Sequence, residues 1–390
     1  MPILVMLSPA PVLEAPGGDI VLDTRFVEGM TLHCQLWPGP VYCVMRRGAG
    51  AIPDGTRYSP RRLGFELVLL DRGEPLPASL LDEAALVYVA ADDLRHLDLA
   101  QAMRPRVGRL VYTVEQPLAD RLATTRDPRW SLRRQFGAVA WNLRRERALR
   151  AALRQADGVH LNGLATAASY ARLNPRTLVY LDNRIRQPLL ARSAEQAARA
   201  ARLTAHAPLG LVAVGPLEPD TGMEDVLPVA RLLFNLGVDF RLEIVGQGPL
   251  APRLATGIAA LGLGGRVRLS APTAFEGQLL PRLRREADLA LMPRRVPEGP
   301  GPYIEAMGCG LPVVGYASAG WRRLAQVSGA GWVTAGRPSA IAARIAALDA
   351  DRGALVAASD RAREFAGETT FEQVFARRMV HLRTIAGLEP

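Results

Sequence analysis

The chain contains no lysine: all 48 of its Lys/Arg positions are arginine. Its formal net charge of +10 is therefore carried by a group that stays protonated and matches flat, bidentate anions. A surface of that kind suits nucleotide diphosphates, lipid phosphates or an acidic membrane face. Nucleic acid is not expected as a partner, because no standard binding motif is present. Cysteine is scarce as well. Cys34, Cys43 and Cys309 are odd in number and lack metal-ligand spacing, so reduced thiols in a cytoplasmic protein are expected. Long apolar runs are missing: none approaches the ~18–20 residues of a membrane span, and no basic region precedes the short run PILVML near the start. That run reads as a first strand.

What is present is a folded chain too long for one ordinary core. At 390 residues with 49% hydrophobic content, two domains are the natural expectation. Apolar runs bounded by turn residues predict strands at 2–8, 41–45, 65–70, 86–90, 109–114, 209–214, 241–245, 267–270 and 311–316, with helical periodicity between most of them. Residues 15–19 read as a glycine turn followed directly by a helix beginning near Ile20. Strands and helices alternating at this length predict an α/β protein with doubly wound parallel sheets covered on both faces.

The chemistry concentrates in residues 289–320, LALMPRRVPEGPGPYIEAMGCGLPVVGYASAG. A strand, a polar loop, a Gly/Pro turn and a helix start bring unpaired backbone N–H groups and a positive dipole end to one point, which suits phosphate. Pro302 fits an early helical position, Gly299 and Gly301 admit close backbone approach, and Glu305 falls in the first turn. Glu298 precedes the turn. Taken alone, Glu305 also reads as a complement to the helix start and Glu298 as a solvated loop charge.

In context this stretch resembles the donor-site signature of retaining glycosyltransferases with two facing Rossmann-like domains, the GT-B architecture, and of glycosyltransferase family 4 in particular. That signature runs approximately P-S-R-x-E-G-F-G-L-x-x-L-E-A-M-A-C-G-x-P-V-V. Pro293, Arg295, Glu298, Gly299, Gly301, Glu305, Ala306, Met307, Cys309, Gly310, Pro312, Val313 and Val314 match it, with one residue missing between the two glutamates. Gly246-Gln247-Gly248-Pro249 corresponds to the family's V-G-x-G-P turn. The family's G-R-L-x-x-x-K-G, whose Arg and Lys grip the donor diphosphate, aligns with Gly215 to Gly222, but Pro216 and Thr221 stand where the two cations belong. Two lost charge-assisted contacts at ~1.5–3 kcal/mol each would cost several powers of ten in donor affinity. Arg294 and Arg295, or the Thr221 hydroxyl with the N–H groups after Gly222, are the candidate replacements. A degenerate donor site is the other outcome.

The resemblance implies two Rossmann-like domains facing a central cleft: an acceptor domain over 1–190, a linker over 191–207, a nucleotide-sugar domain over 208–365, and a helix over 366–390 crossing back to the first domain. It implies a glycosyltransferase of the hexosyl type, using a nucleotide-sugar donor and a glycan or lipid-linked acceptor, with retention and without a metal or other cofactor. Glu298 would meet the sugar hydroxyls, Glu305 the ribose, Arg294 or Arg295 the leaving diphosphate. Gly299, Gly301, Tyr303, Gly215, Thr221, Gly222, Gly246 and Gly248 would complete the donor site. The alternative is a catalytically silent relative that binds a nucleotide or glycan beside an active enzyme.

In the first half, Gly17 and Gly18 match the family's glycine loop on the acceptor side, and Glu115 stands where relatives often carry a histidine. The family's P-N-G-V-D-like loop before the hinge is replaced here by Asn183-Arg184-Ile185-Arg186. Between residues 129 and 154, Arg129, Arg133, Arg134, Arg144, Arg145, Arg147, Arg150 and Arg154 face a single acid, Glu146, with Leu132, Phe136, Val139 and Leu143 at helical spacing. Such a helix can lie on an anionic membrane at the cytoplasmic face, or pack its apolar stripe on the domain core, or do both, burying one side and offering cations on the other.

Overall fold

The computed structural model describes residues 1–390 apart from 51, 53–54, 104–107, 126–129, 220 and 390. The chain forms two compact units, residues 1–180 with 372–390, and residues 181–371.

Among the described residues the first unit is built on nine strands: β1 (Ile3–Glu14), β2 (Ile20–Asp23), β3 (Val41–Arg47), β4 (Gly55–Tyr58), β5 (Glu66–Leu70), β6 (Ala84–Ala90), β7 (Arg109–Val114), β8 (Gly158–Asn162) and β9 (Thr177–Tyr180). The parallel strands lie in the order β5-β3-β1-β6-β7-β8-β9, with the switch in direction between β1 and β6. Leu4, Val5, Leu86, Val87, Leu110 and Val111 are wholly buried, as strands covered on both faces require. Beyond Leu7 the register of β1 against β3 shifts, at the stretch Ser8-Pro9-Ala10-Pro11. Proline cannot donate to a ladder, so the pairing is interrupted there; it resumes with β3 at Pro11 and Val12, and the end of the strand, Leu13 and Glu14, pairs antiparallel with β2, which pairs in turn with β4.

That hairpin corrects one expectation. Gly17 and Gly18 do not form a strand-to-helix loop; they sit in the tight turn between β1 and β2, both at positive φ (81° and 80°). Arg57 braces the turn by donating to the Pro16 carbonyl and to Asp19 at 2.7 Å. Residues 20–23 are strand, and the helix Thr24–Leu36 starts only after Asp23, whose carboxylate caps it through the Arg25 and Phe26 amides.

The helix Phe371–Ala386 lays Met379, Leu382 and Ile385 on the first unit's sheet. A buried polar chain joins them: His381 to His160 (3.0 Å), His160 to the Tyr88 hydroxyl (3.1 Å), and Arg378 to the same hydroxyl (2.8 Å). Burial holds the imidazoles of His160 and His381 below their ordinary range, and His33 nearby is lowered to about 3, first by burial and then by Arg378.

The second unit is a six-stranded, all-parallel sheet: β10 (Leu209–Val214), β11 (Phe240–Val245), β12 (Val267–Ser270), β13 (Leu289–Met292), β14 (Val313–Tyr316) and β15 (Gly331–Thr334), ordered β12-β11-β10-β13-β14-β15. This is the doubly wound order, and its crevice opens at the carboxyl ends of β10 and β13, where the direction of winding reverses. Residues 191–207 are not a linker. They contain the helix Ser193–Thr204, which belongs to the second unit: Arg199 is 1% exposed and donates to the carbonyls of Arg284, Ala287, Cys309 and Gly310. The boundary expected at residue 190 lies at 180/181, and the one expected at residue 365 lies at 371/372.

Candidate functional site

Two loops frame the crevice of the second unit, residues 215–222 after β10 and 293–300 after β13. They are packed backbone to backbone. The Arg295 amide donates to the Thr221 carbonyl (3.0 Å), and a Cβ on Gly222 would lie 1.7 Å from the Pro293 carbonyl oxygen at a φ of +100°. A Cβ on Gly215 would meet the Arg294 guanidinium at 2.1 Å, and Cβ atoms on Gly246 and Gly248 would meet the carbonyls of Gly215 and Leu217 at 2.1 and 2.5 Å. These four motif glycines serve close approach of chain to chain. Gly299 has open space beside it.

The helix carrying the second glutamate is Gly301–Gly308. It begins a residue or two before the expected start, so Glu305 lies one turn in rather than in the first turn. Its carboxylate is gripped at both oxygens by Arg184, Nε to Oε1 at 2.7 Å and Nη2 to Oε2 at 2.8 Å, and the same guanidinium lies 3.8 Å over the Phe275 ring. Glu298 is half-buried beside Arg294, whose Nε stands 3.0 Å from its Oε2 without the N–H aimed at it, so Oε2 accepts no hydrogen bond. Burial pushes the Glu298 carboxyl above the ordinary range; Arg294 opposes the rise and Glu305 adds to it.

Neither arginine before the turn is held in reserve. Arg294 is buried, donates to the Val214 carbonyl (3.1 Å) and faces Glu298. Arg295 pairs with Asp225 at 2.5 Å, and Asp225 also accepts from the Tyr316 hydroxyl at 2.8 Å; the Arg295 side chain is 42% exposed. The Thr221 hydroxyl is used within its own turn, donating to the Glu218 carbonyl (2.7 Å). Tyr303 does not line the crevice: it is buried in a stack on Trp321, ring centroids 4.8 Å apart. Three acids at the crevice, Glu298, Glu305 and Asp225, thus each face one arginine. The parts played by Arg184, Phe275 and Asp225 carried no motif signal.

In the first unit, Glu115 follows β7 and accepts from the Tyr180 hydroxyl (2.7 Å) and the Asn162 amide (2.6 Å), at the carboxyl ends of β7, β8 and β9. Asp92 is next to it, accepting from the Glu115 amide and from Arg145. Gly17 and Gly18 lie in the hairpin turn, not in this group. The helix Leu132–Gln155 buries Asn142, Glu146, Leu149, Ala152 and Leu153. Its first half does not bury the expected apolar stripe: Leu132 and Phe136 are 72% and 73% exposed, and Trp141 and Leu143 are exposed as well. Arg129 lies outside the described residues.

A cavity of about 500 Å³ lies at the other end of the second unit's sheet, at the amino ends of β10–β12, lined in part by Arg202, Arg241, Arg268 and Arg282. Much of its charge is internal: Glu243 faces Arg268 (3.1 Å) and Arg282 (3.2 Å), and Asp288 faces Arg202 (2.9 Å). An Asp-x-Asp triplet occurs at Asp349–Asp351, but Asp349 binds Arg352 and Asp351 caps the helix Arg352–Gly367. No helix among the described residues is long and apolar enough to cross a membrane.

Residues 208–351 match the family model described as Glycosyl transferases group 1. The putative colanic acid biosynthesis glycosyltransferase WcaL of Salmonella typhimurium is 30% identical over 183 residues, 45% of this chain and 45% of that protein. The amylovoran biosynthesis glycosyltransferase AmsK of Erwinia amylovora is 32% identical over 183 residues, 45% and 44% of the two chains. The chain thus spans about half the length of the curated relatives it matches. Among solved structures, HepE of Anabaena in complex with UDP aligns over 100% of both chains at a TM-score of 0.66 and 17% identity. WaaG, a glycosyltransferase involved in lipopolysaccharide biosynthesis, aligns over 97% of this chain and 98% of its own at a TM-score of 0.55 and 14% identity. The chain has the GT-B fold of two Rossmann-like units, and its residues 208–351 are similar to the glycosyl transferases group 1 family.

Proposed function

We propose that the protein is a glycosyltransferase that binds a nucleotide-sugar at the carboxyl ends of β10 and β13 and passes the sugar, with retention, to a glycan or lipid-linked acceptor in polysaccharide synthesis. The observation that carries this is Glu298. It is a half-buried carboxylate at the mouth of the doubly wound crevice, one loop away from Glu305, whose shielded Oε2 faces Arg294 but accepts no hydrogen bond. A sugar hydroxyl would add the hydrogen bond that the ion pair with Arg294 leaves unmade. Arg294 is then a positioning residue for Glu298, while Arg295 is the more exposed of the two and pairs with Asp225. Glu305 takes the ribose. The leaving diphosphate is stabilised by the start of the helix Gly301–Gly308 and by guanidinium groups. The names of the relatives, and the UDP bound by HepE, support the choice of donor class and of a polysaccharide product. No metal or other cofactor enters this reading.

On the first unit, Glu115 is the proposed acceptor-side group. Leu132, Phe136, Trp141 and Leu143, exposed among Arg133, Arg134, Arg144 and Arg147, are proposed to rest on an anionic membrane at its cytoplasmic face.

Calorimetric titration of the full chain with UDP-, GDP- and ADP-sugars tests the donor site. Binding of one of them, lost in Glu305→Ala, is the expected result; no binding by any of them to a folded protein would overturn it. One observation favours a second reading, a silent relative that binds a partner enzyme: Arg184, Arg294 and Arg295 are each already engaged by an acid, Glu305, Glu298 and Asp225. Donor binding without turnover would favour that reading.

A further inference from the structure

We propose that Arg184 is the diphosphate cation of this chain, held on Glu305 until the ribose of the donor takes its place. This rests on the nucleotide-sugar reading above and supplies the positive charge that Pro216 and Thr221 do not.

The placement comes first. Residues 182–191 run beside the whole length of the helix Gly301–Gly308. At its start, a Cβ on Gly301 would lie 3.1 Å from the Asp182 carbonyl oxygen; further along, one on Gly308 would lie 2.8 Å from Ile185; at its end, the Ala191 amide donates to the Gly308 carbonyl at 2.7 Å. Asn183 fixes the backbone around Arg184, donating to the carbonyls of Leu181 (3.0 Å) and Thr369 (2.8 Å) and accepting from the Ile185 amide (2.8 Å). Arg184 is therefore delivered between the helix start and Glu305. These are four residues apart, roughly 6 Å at ~1.5 Å per residue.

The exchange follows from the pairing. Both Glu305 oxygens are occupied by the guanidinium, so a ribose hydroxyl pair seeking the same oxygens competes with it directly. The displaced guanidinium is then available to another anion that accepts two parallel hydrogen bonds, and the diphosphate at the helix start is one. Arg184 is suited to move: its side chain is 32% exposed, whereas Arg294 is buried under Gly215. Arg295 answers to Asp225, an acid with no role toward the donor.

The test separates this from a plain lock. The affinities of UDP, GDP and ADP, each beside its nucleoside, are measured by calorimetry on wild type, Arg184→Ala and Arg184→Lys, with thermal melting to verify folding. For the nucleotide that wild type binds, Arg184→Ala is expected to weaken the diphosphate about tenfold or more while the nucleoside binds equally well or better. Arg184→Lys should restore part of the loss as a point charge. A diphosphate that binds unchanged or more tightly to Arg184→Ala overturns the inference and leaves the donor site standing. If wild type binds none of the nucleotides, the donor-site reading falls and takes this one with it. Should Arg184→Ala fail to fold, the diphosphate-to-nucleoside affinity ratio in Arg184→Lys decides: a drop supports the role, and an unchanged ratio overturns it.

Discussion

Replacing Arg199 by alanine should unfasten the helix that carries Glu305. The guanidinium makes five hydrogen bonds: to the carbonyls of Ala287 (3.0 Å), Arg284 (3.1 Å), Cys309 (2.9 Å) and Gly310 (2.9 Å), and to the Ser359 hydroxyl (3.2 Å). Two of those carbonyls close the C-terminal end of Gly301–Gly308, where a cation is favoured by the helix dipole. The Gly310 carbonyl keeps a second donor in Ser359 (2.7 Å), so three carbonyls lose the guanidinium that serves them. At about 1–3 kcal/mol for each buried acceptor left bare, less what entering water recovers, the loss is about 3–5 kcal/mol. For a unit of this size, at about 2–4 °C per kcal/mol, the melting temperature should fall by roughly 6–20 °C. Differential scanning calorimetry on wild type, Arg199→Ala and Arg199→Lys is the assay. Lysine keeps the charge without the five-donor fork and should recover less than half. A loss in Arg199→Ala below about 1 kcal/mol, the level of an ordinary surface substitution, would refute the clamp.

Two further outcomes are expected. Unfolded histidine protonates near 6.5, whereas buried His33 stays neutral down to about 3 beside Arg378, so its contribution to stability is complete above pH 6.5 and declines as pH falls through that window. His160 and His381 are shifted in the same direction. Melting temperature should therefore drop between pH 7.5 and 5, and less steeply in His33→Leu; a flat profile would contradict the burial argument for this cluster. The double variant Phe136→Ser with Trp141→Ser should lose cosedimentation with anionic vesicles while keeping its melting temperature, and wild type should ignore zwitterionic vesicles. Equal binding of wild type to both lipids would remove the arginine-based part of the membrane proposal.

The second unit was legible in the sequence because its strands are buried on both faces and read as apolar runs bounded by glycine or proline, as at Leu209–Val214, which Gly215 follows, and Val313–Tyr316, which Pro312 precedes. The β1–β2 hairpin was not. Ile20–Asp23 is too short for periodicity to separate strand from helix, and the signal at hand was the pair Pro9 and Pro11, where the register of β1 against β3 shifts ahead of the hairpin. Residues 191–207 look like a helix-rich connection because Ala and Arg favour helix, and only the Arg199 contacts reveal which unit owns them. In the crevice, spacing located Glu298 and Glu305 but not their partners. Arg184 lies 121 residues before Glu305, a separation that local pattern cannot bridge.

The most direct measurement is the crystal structure of the full chain with the nucleoside diphosphate that calorimetry identifies. The expected result places its phosphates at the start of Gly301–Gly308 and its ribose on Glu305, at the carboxyl ends of β10 and β13. A nucleotide seated instead in the arginine-lined cavity at the amino ends of β10–β12, with Glu305 still paired to Arg184, would contradict the donor site proposed for this chain.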